Sequence, residues 1–115
     1  MALSVLVKTL DEKKLSAYCE KRMPPHARHQ VRLAYEIRGN SVTIFEERAP
    51  WHKDMTEWTS MPIAQIRYDG KTGKWSLYCA DRNERWHKYP GQSPTKDLDE
   101  ILAEINRDPT HIFWG

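Results

Sequence analysis

The chain has little of several things. Among 115 residues there are two cysteines, Cys19 and Cys79, far apart and with no CxxC spacing, so neither a disulfide framework nor a thiolate zinc cluster is expected. Only five glycines occur, and turns and the C-terminus account for them, which leaves none for a phosphate-cradling loop. There is no Gly-x-Ser-x-Gly elbow and no cysteine beside a histidine, so no nucleophile is announced. No apolar run approaches a membrane span, and the stretch from Ala2 to Val7 is too short for a secretory signal. The formal charge is +2, far from the excess expected of a protein that coats DNA. These absences point to a reduced, cytosolic chain without a cofactor.

What is present is a globular balance: 39% hydrophobic and 30% charged residues, with a mean hydropathy of −0.79 that requires the apolar residues to sit at chosen positions. The length suits one domain, residues 1–115, with a single core. Five tryptophans in so short a chain are the one compositional oddity.

The side-chain rhythm divides the chain into three parts. Thr9-Leu10-Asp11-Glu12 has the form of a capping box, so a helix is expected to start or restart there. Residues Ser4 to Lys8 either extend it backward or form an arm. Leu15, Tyr18, Cys19 and Met23 fall on one side of a 3.6-residue period, and Pro24-Pro25 ends the helix. From Gln30 the period becomes two: Val31, Leu33, Tyr35 and Ile37 alternate with Arg32, Ala34, Glu36 and Arg38. Gly39-Asn40 reads as a two-residue hairpin turn, which sets Ile37 opposite Val42, Tyr35 opposite Ile44 and Leu33 opposite Glu46. On the other face Glu36 meets Thr43, Ala34 meets Phe45 and Arg32 meets Glu47.

A loop from Ala49 to Ser60 follows, and then a second hairpin around Asp69-Gly70-Lys71-Thr72-Gly73. Its register sets Tyr68 opposite Trp75, Ile66 opposite Leu77 and Ala64 opposite Cys79, all six facing the core. Asp81-Arg82-Asn83-Glu84 makes a turn into a fifth strand, Arg85 to Tyr89. Leu98, Ile101, Leu102 and Ile105 mark an amphipathic second helix, capped by Ser93 or Thr95 and ended by Asp108-Pro109. The apolar tail Ile112-Phe113-Trp114 is expected to dock. The fold class is therefore α+β: a five-stranded antiparallel meander with the N-terminal and C-terminal helices packed on one face.

Several stretches resemble, in combination, a bacterial family of small proteins known only as a domain of unknown function, number 3024. They are Arg22-Met23-Pro24-Pro25-His26, Arg38-Gly39-Asn40-Ser41-Val42-Thr43, Glu46-Glu47-Arg48-Ala49-Pro50-Trp51, Met61-Pro62-Ile63-Ala64-Gln65, Asp81-Arg82-Asn83 with Trp86, and Asp108-Pro109 with Phe113-Trp114-Gly115. The resemblance implies a bacterial, stand-alone cytosolic protein and carries no activity with it. Glu84 departs from the pattern, which has glycine after Asn83.

Chemistry then has three candidates. Rings beside cations (Lys74-Trp75, Arg67-Tyr68, Arg85-Trp86-His87-Lys88-Tyr89, Trp51-His52-Lys53) suit a surface that stacks on bases and holds phosphates, although alternation in any half-buried strand gives the same pattern. The strand carboxylates Glu36, Glu46 and Glu47 are the alternative, a Mg²⁺-dependent phosphodiesterase, but Arg48 replaces the lysine such a motif uses and cannot act as a base. His26 and His29 are the only metal candidates, without a third ligand nearby. The expected function is a non-catalytic binding module with no assigned catalytic residue, working through Arg32, Arg38, Trp51, Trp58, Arg82 and Trp86. Its partner would be nucleic acid first and a protein second, including another copy of the chain.

Overall fold

The computed structural model describes residues 5–22, 26, 30–50 and 56–114, with side chains from Lys13 onward. Seven elements follow one another: α1 (Val5–Arg22), β1 (Val31–Arg38), β2 (Ser41–Arg48), β3 (Thr59–Asp69), β4 (Lys74–Ala80), β5 (Trp86–Lys88) and α2 (Leu98–Arg107). The strands form one antiparallel sheet in the order β1-β2-β3-β4-β5, the α+β meander that the alternating rhythm predicts.

Two turns fix the register. Gly39 adopts φ 58°, the left-handed geometry a two-residue hairpin needs at its first position, and β1 pairs with β2 from Arg38↔Ser41 through Arg32↔Glu47 to Val31↔Arg48. Gly73 at φ 69° closes the second hairpin, giving Tyr68↔Trp75, Ile66↔Leu77 and Ala64↔Cys79. Side chains alternate, so one face of the sheet carries Val42, Ile44, Ala64, Ile66, Trp75 and Leu77, all at most 4% exposed. Tyr68 is only half-buried at the margin, its ring 4.8 Å from that of Trp75.

Both helices cover this face. Leu15 of α1 and Leu98, Ile101, Leu102 and Ile105 of α2 join the same apolar cluster as the strand residues, at the positions the 3.6-residue period marks. The tail docks too: Phe113 is 4% exposed and its ring lies 5.1 Å from that of Tyr89.

The helix α1 runs from Val5 straight through the capping-box sequence, the backward extension of the two readings. Two local expectations are corrected. The N-cap of α2 is Asp97, whose carboxylate accepts the Asp99 amide at 3.0 Å, while Thr95 accepts the amide of Asp97 and does not cap the helix. The loop after β2 is shorter than expected because β3 already begins at Thr59. The pairing of β2 with β3 then slips by one residue: Ile44 faces Ala64 but Phe45 faces Pro62, so Ile63 is extra and both Ile63 and Ala64 are buried. A bulge tolerates the missing N–H of Pro62, which a regular ladder would not.

The two outer edges of the sheet differ. β5 has three residues, and Thr95 bridges the other end of β4 through paired backbone bonds with Trp75 of 2.7 and 3.0 Å. β1 presents eight residues in regular extension.

Candidate functional site

Among the described residues neither helix packs on the second face of the sheet, so its composition follows directly from strand parity. β1 contributes Arg32, Ala34, Glu36 and Arg38, and β2 contributes Ser41, Thr43, Phe45 and Glu47. Gln65 and Arg67 of β3, Ser76 and Tyr78 of β4, and Lys88 of β5 continue the rows Thr43↔Gln65↔Tyr78↔Lys88 and Ser41↔Arg67↔Ser76. Trp86 shares this face through its partner Ala80.

Two guanidinium groups lie over rings here. Arg67 stands 3.9 Å from the centroid of Tyr78 and is steered by its neighbours: its Nε donates to Gln65 Oε1 at 2.7 Å, and Gln65 Nε2 donates to Thr43 Oγ1 at 3.1 Å. Arg32 lies 4.0 Å over the Trp58 ring while its Nε donates to Glu47 Oε1 at 2.8 Å. Arg38 is the freest cation of the face, its side chain 84% exposed and only 3.8 Å from Glu36 at closest approach. Each guanidinium thus sits over a ring while its Nε donates to a neighbouring side chain, cation and ring forming one unit on the face.

Of the expected binding residues, Arg32, Arg38 and Trp86 lie on this face and Trp58 beside it. Of these only Arg32 and Trp58 are in contact, Arg38 standing at the far end of β1 and Trp86 on the opposite edge strand. Arg82 does not lie there: it sits exposed in the β4–β5 turn, beside a cleft of about 470 Å³ lined by Met61, Pro62, Ile112 and Phe113 among others. Trp51 lies outside the described residues. Arg67 and Tyr78 are the functional candidates that sequence reasoning passed over. Their signal was available, because Tyr78 is out of phase with the core residues Leu77 and Cys79.

The alternative carboxylates do not converge. Glu36 and Glu47 share the open face but are separated along the ladder by four residues, roughly 13 Å. Glu46 points to the helix side, where it is 9% exposed and held by Arg48 Nε and Nη2 at 3.0 and 2.9 Å. One divalent ion cannot bridge three groups so arranged. His26 is exposed and His29 lies outside the described residues; among the described residues no three His, Cys, Asp or Glu side chains cluster as a metal site would. Burial pushes the Cys19 thiol up to about 11 and raises that of Cys79 as well, so both stay protonated fillers of the core near neutral pH.

A tighter polar cluster at the β4–β5 turn has a structural explanation. Asp81 Oδ1 accepts the amides of Asn83 and Arg85 at 2.8 and 3.0 Å, and Oδ2 lies 2.7 Å from His87 Nε2. His87 foremost, then the Arg85 amide, hold the Asp81 carboxyl down to about 2. The turn holds Glu84 at φ 61°, the left-handed region that favours glycine, the residue expected there from the resemblance. Glu84→Gly is therefore expected to stabilise the chain by about 0.5–1 kcal/mol, the relieved backbone strain exceeding the added unfolded-state entropy. Urea unfolding measures this, and a destabilised variant would show that the turn gains nothing from glycine.

The family pattern of a domain of unknown function, DUF3024, matches residues 3–115. The chain belongs to that family. No curated protein and no solved structure matches it. The DUF3024 motifs fall largely on positions with a structural duty: Gly39 in a turn, Pro62 at the bulge, Asp81 in the β4–β5 turn and Asp108 at the end of α2. Other motif residues, Arg38, Ser41, Thr43, Glu47, Gln65 and Trp86, lie on the open face. Among the described residues no helix is long and apolar enough to cross a membrane.

Proposed function

We propose that the chain is a non-catalytic binding module of the cytosol whose open sheet face takes single-stranded nucleic acid. The observation that carries this reading is the pairing of guanidinium planes with rings on an uncovered antiparallel face: Arg67 over Tyr78 and Arg32 over Trp58, with Phe45 and Trp86 half-exposed nearby. Rings of this kind stack on any base, and Arg38 and Lys88 extend the cationic track on either side. The net charge of only +2 suits a short contact of few phosphates rather than a long coating track. Two separate buried thiols fit a reducing compartment.

Fluorescence anisotropy with labelled single-stranded RNA and DNA tests the reading. Binding is expected at low salt, with log K falling against log salt at a slope of roughly −2 to −3 for three or four neutralised phosphates. Tyr78→Ala is expected to weaken it by about 5- to 150-fold, the worth of one stacked base, while Tyr78→Phe retains most of it. Because Tyr78 lies outside the core cluster, thermal unfolding of both variants should stay near that of the parent. A flat titration at low salt would remove the proposal.

A further inference from the structure

The outer edge of β1 is the one long sheet edge of the described chain that nothing covers. Gln30 C=O accepts the Ala49 amide at 2.8 Å, and Arg38 pairs with Ser41 across the turn. The even-numbered residues of β1 therefore spend their backbone groups on β2. Val31, Leu33, Tyr35 and Ile37 turn their N–H and C=O groups outward, and among the described residues no backbone group meets them. Natural edges are blunted by brevity, proline, a bulge or a cover. β5 is short and β4 is bridged by Thr95, but β1 has none of these devices. The helix α1 lies on the helix-side face of β1, where Tyr35 Oη meets Ser16 Oγ at 3.3 Å, and among the described residues it gives no backbone hydrogen bond to this edge.

We infer that this edge binds the same edge of a second copy, β1 against β1 in antiparallel register about Ala34. Three requirements select that register. Opposed residues must share a face, so the twofold axis passes through a residue position and not between two. The outward-turned residues must meet each other, and about Ala34 they do: Leu33 faces Tyr35 of the second copy and Val31 faces Ile37, which covers Val31, Tyr35 and Ile37, half-buried in the single chain, beside the already buried Leu33. The charges must complement. About Ala34, each Arg32 faces the second copy's Glu36, two opposite-charge pairs made from side chains 51% and 55% exposed in the single chain. Centring on Tyr35 sets Arg32 against Arg38, and centring on Glu36 sets that carboxylate against itself. The axis lies perpendicular to the sheet, so two five-stranded sheets become one of ten strands and their open faces become continuous. This pairing stands independently of what the open face binds.

Light scattering and one engineered cysteine test it, with no nucleic acid in the sample. The expected mass is twice 13.6 kDa. In this register Ala34 faces its own counterpart in a non-hydrogen-bonded pair with Cα atoms about 4.5 Å apart, inside the range a disulfide spans. Ala34→Cys should therefore cross-link to a dimer on mild oxidation, whereas Thr43→Cys, one strand inward on the same face, should not. The native Cys19 and Cys79 are buried and do not compete. Glu36→Arg sets like charges opposite each other twice and should weaken the dimer about tenfold, and adding Arg32→Glu should restore it. A mass that stays at 13.6 kDa up to roughly millimolar protein overturns the inference. So does a dimer in which the Ala34→Cys variant fails to cross-link or the Thr43→Cys variant links equally well.

Discussion

Asp108→Ala is expected to lower the unfolding free energy by about 3 kcal/mol, a large effect for a polar residue. Asp108 is 6% exposed and stands at the C-cap of α2 at φ 42°. Its two carboxylate oxygens accept the amides of Phe113 and Trp114, at 3.1 and 2.9 Å, and its own carbonyl accepts the His111 amide at 3.1 Å. The tail so gathered seats Phe113 in the core and lets Trp114 Nε1 donate to the Ile105 carbonyl at 2.9 Å, with Arg22 lying 4.5 Å over the indole. Alanine removes both acceptors from buried amides and adds the strain of a left-handed alanine. Asp108→Gly separates the two costs. It keeps the left-handed backbone while losing the carboxylate, and should recover about 1 kcal/mol relative to alanine. Asp108→Asn retains an acceptor and the tolerance for positive φ, and should fall nearest the parent. Denaturant unfolding followed by tryptophan fluorescence provides the readout. An alanine variant within about 0.5 kcal/mol of the parent, the range of ordinary surface substitutions, would show that the tail holds without its clamp.

The second large effect belongs to the buried pair at the opposite side of the same tail. Tyr89 Oη donates to Glu104 Oε2 at 2.8 Å, and Arg107 Nη2 donates to Glu104 Oε1 at 2.6 Å. Tyr89 is 3% and Glu104 6% exposed. Burial first, and the adjacent carboxylate second, raise the phenol above its ordinary range, so the hydroxyl keeps its proton and remains a donor. The Arg107 side chain is 71% exposed and its ionic share is screened by solvent, so most of the cost of losing Glu104 comes from the phenol proton left without that acceptor. Glu104→Ala is expected to cost about 2–3 kcal/mol and Tyr89→Phe about 1–2 kcal/mol. Replacing both partners, Tyr89→Phe with Glu104→Ala, should cost less than the sum of the two by about 1–2 kcal/mol, because the phenol proton is then no longer stranded. Additive single effects in that cycle would show that the two side chains are energetically independent.

The hairpins were legible residue by residue because two signals agree there. The alternation of apolar side chains says which face each residue occupies, and a glycine in a short turn says which residues oppose. Ile37↔Val42 and Ile66↔Leu77 followed from counting back from Gly39 and Gly73. The juxtaposition of Arg32 with Glu47, an ion pair in the structure, followed from the same count. The bulge at Pro62 was not legible, since one extra residue leaves the local pattern of β3 intact and appears only when β2 is laid beside it. The capping box at Thr9 left the start of α1 open, because Thr-x-x-Glu is also compatible with a helix interior, and the helix continues back to Val5.

The candidate site divides along the same line. Arg32 and Arg38 are assigned to the open face by parity alone. That Arg67 lies on Tyr78 and Arg32 on Trp58 depends on which strands are neighbours and on where the end of the β2–β3 connection returns. Arg82 was drawn into the expected site by its neighbours in sequence, but the turn at Asp81 carries it past the end of the sheet.

Taken alone, the order of residues determined the elements, the two hairpin registers, the apolar face and the membership of each strand residue in one face or the other. These are properties of spacing, and spacing is local. The tertiary structure decided which strand lies beside which across the bulge, how Asp108 gathers the tail, which guanidinium covers which ring, and which edge remains open. Each of those depends on distances between residues far apart in the chain, and only the closing of the sheet under its two helices sets them.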